Sequence, residues 1–324
     1  LSLDNAKRSC DSADWLTPKR VEVLTMNGLT CFLAGVALAA SLAGCGDSAM
    51  TPDSTPPPAH GYQLKTPELP LDAGVEKYLC YTVKLGEKTD VAITQFQAQT
   101  GQAVHHYEVF QALAPEQDGV WDCTQQQIKM TWLPLFGGGV GAAGLQLPAG
   151  AGFKIPGDAQ LLLQLHLVNA MPTPTTTQVI INMDYADNPA TVTPAGVFAF
   201  GTMNIDLAPG ATGVNLGSQC ALPKQMNVFA IQPHMHKLGK KITFQLGQDA
   251  ASLQVAYKRD PWIFGAQPID PFPMALSQGE YAGVTCTFDN TTTKDVAYGE
   301  TTSDEMCYLV LFYTPFDRLG GCIN

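Results

Sequence analysis

Charge is scarce in this chain. Only 15% of its 324 residues are Asp, Glu, Lys or Arg, and 18 Lys and Arg face 29 acidic residues. A formal net charge of −11 with no basic run leaves no groove for a polyanion, so nucleic acid is excluded as a partner. No CxxC pair occurs, which excludes zinc ribbons and thioredoxin-type sites. The glycines of Gly137-Gly138-Gly139 and Gly141-Ala142-Ala143-Gly144 lack the Lys-Ser/Thr ending of a phosphate loop, so the stretch reads as a flexible loop only. The apolar run that begins at Cys31 and ends at Leu42-Ala43-Gly44-Cys45 is too short for a spanning helix, which needs about 20 residues.

That run has another reading. Small residues directly before a cysteine, with Lys19 and Arg20 upstream, form the pattern of a lipoprotein signal whose Cys45 is lipidated after cleavage. Residues 1–44 are then expected to be a leader. Residues 45–60 are a Pro-, Ser- and Thr-rich tether with nothing to bury, and they include His60. The expected location is the periplasmic or cell-surface face of a bacterial envelope membrane, held through the lipid anchor. Cysteine usage agrees with export. Setting aside Cys10, Cys31 and Cys45 leaves Cys80, Cys123, Cys220, Cys286, Cys307 and Cys322, an even set that suggests three disulfides out of fifteen connectivities.

What is abundant is turn chemistry, with 30 Gly and 23 Pro, among short apolar runs. The runs at 78–85, 91–97, 104–110, 161–168, 178–185, 228–236, 241–246, 281–288 and 305–313 have strand length and β-rich composition. They predict an all-β chain of antiparallel β-sandwiches. The polar, Pro-containing stretch 187–194 places a boundary between a domain over 61–190 and a domain over 191–324.

Five of the six histidines fall on these runs. A single histidine on a strand is ordinarily a core or surface residue, but a pair, a single and an HxH in one exported chain point to metal. His234 and His236 lie two apart, so a strand presents both to one ion. His105 and His106 are adjacent and point to opposite faces, so they can share an ion only near a strand end or irregularity. His166 shares a face with Gln164, which is placed to hydrogen-bond toward the ligands. His105, His106 and His166 would also suit catalytic zinc, leaving the HxH and Met306 unused.

The succession YLCYTVKL (78–85), VHHYEVF (104–110), LQLH (163–166), HMHKLGK (234–240) and TSDEMC (302–307) resembles the copper type II, ascorbate-dependent monooxygenases. These share the catalytic core of peptidylglycine alpha-hydroxylating and dopamine beta-monooxygenases, and the likeness runs from about Lys77 to Cys322. The resemblance implies two tandem jelly-roll-like antiparallel β-sandwich domains with one copper ion each. His105, His106 and His166 would hold the electron-supplying copper. His234, His236 and Met306 would hold the copper where O2 reacts. It also implies the pairs Cys80–Cys123, Cys220–Cys322 and Cys286–Cys307.

The implied activity is hydroxylation of an aliphatic C–H bond of a small-molecule substrate, with ascorbate as reductant and O2 as co-substrate. A soft thioether favours Cu(I), which suits an oxygen-binding position. The substrate wall is expected at Gln232, Tyr308 and Val310. The peptide-amidating branch has an arginine where this chain has Gln232, so peptidylglycine is not the expected substrate. The main rival is a non-catalytic copper-binding envelope lipoprotein, followed by the zinc hydrolase and by a metal-free interaction sandwich.

Overall fold

A computed structural model describes residues 55–124, 129–139 and 144–324. The expected leader, with Cys10, Cys31 and the lipidation residue Cys45, lies outside them, as do the glycine-run residues 140–143. Among the described residues the chain is all-β, and its sheets are built mainly from antiparallel pairs.

The first half is a sandwich. Its six-stranded sheet has the order Gly61–Lys65, Val179–Tyr185, Val91–Thr100, Ala151–Ile155, Thr193–Pro194, with Gly144–Gln146 also pairing to Val91–Thr100. The facing five-stranded sheet has the order Gly119–Asp122, Glu76–Lys84, Gln160–Val168, Val104–Ala112, Trp132–Gly139. Leu161, Leu163, Leu165 and Leu167 pack inward with Ile93, Phe96, Phe153 and Ile181. Alternation turns Leu162, Gln164 and His166 to the opposite face. That face is covered as well, which is why the central strand reads as an almost unbroken apolar run.

The second half repeats the plan. One sheet has the order Asp270–Leu276, Met226–Met235, Cys307–Thr314, Gly196–Thr202, Gly320–Ile323, and the other Val214–Ala221, Tyr281–Phe288, Gly239–Gly247, Gln254–Arg259. A buried asparagine closes the same kind of loop in each half. Asn169 Nδ2 donates to the carbonyls of Asp72 and Thr173, and Asn290 Nδ2 to those of Ala208 and Lys294. The described residues form one compact unit, because the apolar core of the first half continues into Val197, Ala230 and Phe312 of the second.

Three expectations change. Gly137–Gly139 is not a loop; it is the end of the strand Trp132–Gly139, paired with Val104–Ala112. A side chain at Gly137 would crowd Glu108 across the pair, its Cβ meeting Glu108 Cγ at 3.3 Å. The end of the tether is part of the fold, since the carbonyls of Thr55 and Pro56 accept from Gln63 and Asn182. The first sheet also reaches past residue 190, taking in Thr193–Pro194 as a parallel edge.

All six cysteines of the described residues are paired, as Cys80–Cys123, Cys220–Cys322 and Cys286–Cys307. The last bond ties the strand that follows Met306 to the opposite sheet of the same sandwich.

Candidate metal centre

Two β-bulges aim the histidines. Along the pairing of Gln160–Val168 with Val104–Ala112, His166 faces His106 and Leu167 faces Val104, so His105 is an extra residue. Such an insertion bends the strand and lets two neighbouring side chains turn the same way. The chain enters this strand through Ala103 in the left-handed region, φ 71°. In the second half the extra residue is Phe229, between Val228 and Ala230. A one-residue slip changes the face of everything after it. Val228 points into the second core, whereas Ala230 packs toward the first half and Gln232 reaches a first-half carbonyl, with His234 following at the same spacing.

His105, His106 and His166 come together so that one ligand atom of each lies within 4.8 Å of the others. His106 Nδ1 is 3.2 Å from His105 Nδ1 and 3.3 Å from His166 Nδ1. Nitrogens at about 2.0–2.1 Å from one tetrahedral ion stand about 3.3–3.4 Å apart, so these two separations match edges of a coordination shell. His166 is fully buried, stacked on Tyr78 with ring centroids 4.4 Å apart, and its Nε2 lies 2.8 Å from Glu76 Oε1. A carboxylate only accepts, so Nε2 carries the proton and Nδ1 is left with the lone pair.

His234 and His236 present the other nitrogen. His236 Nδ1 donates to the Asp304 carbonyl at 2.9 Å, and its Nε2 is buried without a partner. His234 Nδ1 lies 2.8 Å from Gln267 Oε1. The Gln267 amide nitrogen donates to the Phe264 carbonyl, which fixes its oxygen toward His234. Met306 is buried, and continuing the register that sets His234 opposite Tyr308 and Met235 opposite Cys307 puts Met306 opposite His236.

The two groups adjoin rather than standing apart. The His106 and His234 rings meet edge to face at 5.7 Å, and Phe264 lies 4.7 Å from the His105 ring and 6.4 Å from that of His236. Burial is the main cause that holds all five imidazoles below their ordinary pKa, reinforced by repulsion from neighbouring histidines at His105, His106, His234 and His236 and by Lys237 at His166, with His105 lowered to about 4 and His234 to about 3. Neutral imidazole is the form that binds a metal.

Carboxyl groups surround the cluster. Burial would raise Glu76, but hydrogen bonds from Thr302 and His166 outweigh it and hold the group below its ordinary value. Burial pushes Glu108 up to about 7, with the charge of Glu300 adding to the effect. Burial also pushes Glu305 up to about 7, against the backbone N–H groups that it accepts from.

The remaining expected residues sit as follows. Gln164 is buried opposite Glu108 in the register, and its amide nitrogen has no partner. Gln232 donates to the Gly137 carbonyl at 3.1 Å, so its amide ties the two sandwiches together. Val310 packs into the apolar contact between the halves. The Tyr308 and Tyr298 hydroxyls pair at 3.0 Å. Gly201 leaves room for the Tyr308 ring, which a Cβ there would meet at 2.3 Å. Glu76, Phe264 and Gln267 were not foreseen. Their partners are distant in sequence, and a lone Glu, Phe or Gln in a strand end or loop carries no spacing signal.

The residues fit copper on the chemistry of the donors. Each histidine whose tautomer is fixed has its proton held by Glu76, Gln267 or Asp304, which leaves its other ring nitrogen to donate, and by the continued register Met306 would add a thioether to the second group. A buried Nε2 with no partner is the orphan that a cation would satisfy.

Comparison with known proteins agrees. Residues 193–324 match the family described as "Copper type II ascorbate-dependent monooxygenase, C-terminal domain". The chain is 23% identical over 249 residues to the peptidyl-glycine alpha-amidating monooxygenase of Mus musculus, covering 74% of this chain and 25% of that protein. It is 22% identical over the same length to that of Rattus norvegicus, with the same coverage. The chain thus spans about a quarter of the length of these relatives. Among solved structures, the major capsid protein P2 of bacteriophage PM2 aligns at 10% identity over 79% of this chain and 98% of that one. Its TM-score of 0.30 carries no argument. On the match over 193–324 and the two amidating relatives, the chain is similar to the copper type II, ascorbate-dependent monooxygenase family.

Proposed function

We propose that the chain is a copper- and ascorbate-dependent monooxygenase that hydroxylates an aliphatic C–H bond of a small molecule other than a peptidylglycine. One oxygen atom of O2 enters the C–H bond and the other leaves as water, and two ascorbates supply one electron each. The observation that carries the reading is the fixed tautomer of two fully buried histidines, one in each ligand group. His166 offers Nδ1 because Glu76 holds its Nε2–H, and His236 offers Nε2 because the Asp304 carbonyl holds its Nδ1–H.

His105, His106 and His166 would hold one copper, and His234, His236 and Met306 a second. Bound copper supplies single electrons and, at the thioether site, a position for O2. The protein's own part is to keep these side chains neutral, oriented and dry. Phe264 shields His105 and His236 from water, and the Tyr78 ring fixes the plane of His166. Tyr308, next to His234 in the register, lines the approach to the thioether side. The absence of a cation at Gln232 supports a substrate without a terminal carboxylate, and Gln164, on the strand and face of His166, is placed to hydrogen-bond toward the ligands. We further propose that Cys45 carries lipid and anchors the protein to an envelope membrane.

The test is oxygen uptake on ascorbate by the copper-loaded chain over a mixed panel of substrates. Uptake with a hydroxylated product supports the enzyme. Copper binding with no ascorbate-linked uptake on any substrate supports the non-catalytic copper-binding reading instead.

A further inference from the structure

Glu76 belongs to the first sandwich, and it holds residues of both. Its Oε1 accepts from His166 Nε2 at 2.8 Å and from the Thr302 backbone N–H at 2.9 Å, and its Oε2 accepts from the Thr302 hydroxyl at 3.2 Å. Two residues on, Tyr78 makes a parallel double contact. Its ring stacks on His166 with an interplanar angle of 5°, and its hydroxyl donates to the Glu300 carbonyl at 2.5 Å. The two side chains that hold His166 are therefore the two that hold the second-sandwich segment 300–302. That segment runs on into Asp304 and Glu305, which fix His236 through its Nδ1 and its backbone N–H at 2.9 and 3.0 Å.

We propose that Glu76 is a positioning residue through which docking of the second sandwich sets the tautomer and basicity of His166. The inference rests on the reading of His166 as a metal ligand. While Thr302 is docked, its two donors orient both carboxylate oxygens and keep Oε1 on His166 Nε2–H. When the segment leaves, a carboxylate already one-third exposed turns to water, and the dedicated acceptor of His166 is lost. A carboxylate on the far nitrogen makes an imidazole a stronger donor to its metal and is worth about 10–100-fold in metal affinity.

The experiment compares wild type with Glu76→Gln, Glu76→Asp and the double variant Tyr78→Phe/Thr302→Val. The double variant cuts the hydroxyl contacts to the docked segment but removes no atom that touches His166. In each metal-free chain, 15N spectra of the imidazoles report the His166 tautomer. In each copper-loaded chain, Cu(II) affinity and reduction potential are read for the first-sandwich site.

Wild type is expected to show His166 protonated on Nε2 alone. Glu76→Gln should mix the tautomers, weaken Cu(II) binding about 10–100-fold and raise the potential, with partial rescue in Glu76→Asp. The double variant should move every readout the same way by a smaller factor. A double variant indistinguishable from wild type overturns the link to docking, and an unshifted Glu76→Gln overturns the role of Glu76 altogether. If the chain binds no copper, the proposed function fails, and the metal-free spectra alone decide this inference by the same two comparisons.

Discussion

The rings of His106 and His234 stand edge to face at 5.7 Å, although one comes from each sandwich. The resemblance implies two copper sites in two domains. In this structure the two ligand groups adjoin, with Phe264 against His105 and His236, Tyr78 stacked on His166, and the Gln232–Gly137 hydrogen bond joining the two sandwiches.

The first consequence is stoichiometric. The copper-loaded chain is expected to hold two ions, and His236→Ala should release one while His105, His106 and His166 keep the other. Met306→Ala should weaken the same ion mainly as Cu(I), because a thioether prefers that state. Metal analysis with a Cu(I) chelator competition measures both. Loss of both ions from His236→Ala would show one shared centre instead.

The second concerns pH in the metal-free chain. A histidine lowered in the folded state contributes stability that is fully present above its ordinary 6.5 and is lost as pH falls through the folded value. For His105 and His234 those values are about 4 and about 3. Glu108 and Glu305, raised from 4.5 to about 7, act with the opposite sign, and stability from them is lost as pH rises between those values. Each fully shifted group changes stability by about 1.4 kcal/mol per pH unit inside its window. The five lowered histidines outnumber the raised acids Glu108, Glu300 and Glu305, so the melting temperature should drop as pH falls below 6.5. A flat or rising profile would contradict the burial of the cluster.

The third concerns Glu305, which is fully buried and accepts from the backbone N–H groups of His236 at 3.0 Å and Leu238 at 2.5 Å. Glu305→Ala leaves both donors without an acceptor, at about 1–3 kcal/mol each. Denaturant unfolding should show that loss, together with weaker copper binding at His236. Glu305→Gln, which keeps one acceptor oxygen, should fall between. An alanine variant as stable as wild type would show that water replaces the carboxylate.

The fourth concerns anchoring. Cys45→Ala should remove the lipid label and release the protein from the membrane fraction, whereas a label that survives the change rules out Cys45 as its site.

Much of this was legible in the sequence because it depends on period and order. The strands around Leu161–Leu167 and Cys307–Tyr313 follow from their apolar composition. The disulfide pairs follow from the family likeness together with the even cysteine count. What was not legible depends on slips of one residue and on glycine. The bulged residues, His105 and Phe229, have nothing in their side chains that marks an insertion. Gly137–Gly139 forms a strand that has no side chains to alternate, so it reads as a loop. The hydrogen bond from Gln232 to a backbone carbonyl of the other sandwich, 95 residues away, exists only through the fold. Glu76 and Gln267 meet their histidines only through the fold.

The most direct test of the proposed function is incorporation of labelled oxygen from O2 into product with ascorbate, in wild type, His105→Ala and His234→Ala. One ion supplies one electron and the reaction needs two, so either substitution should abolish incorporation, although each leaves the other ligand group intact. Labelled product from wild type alone is the expected result. Equal ascorbate oxidation in all three proteins, with no label in any product, would contradict it.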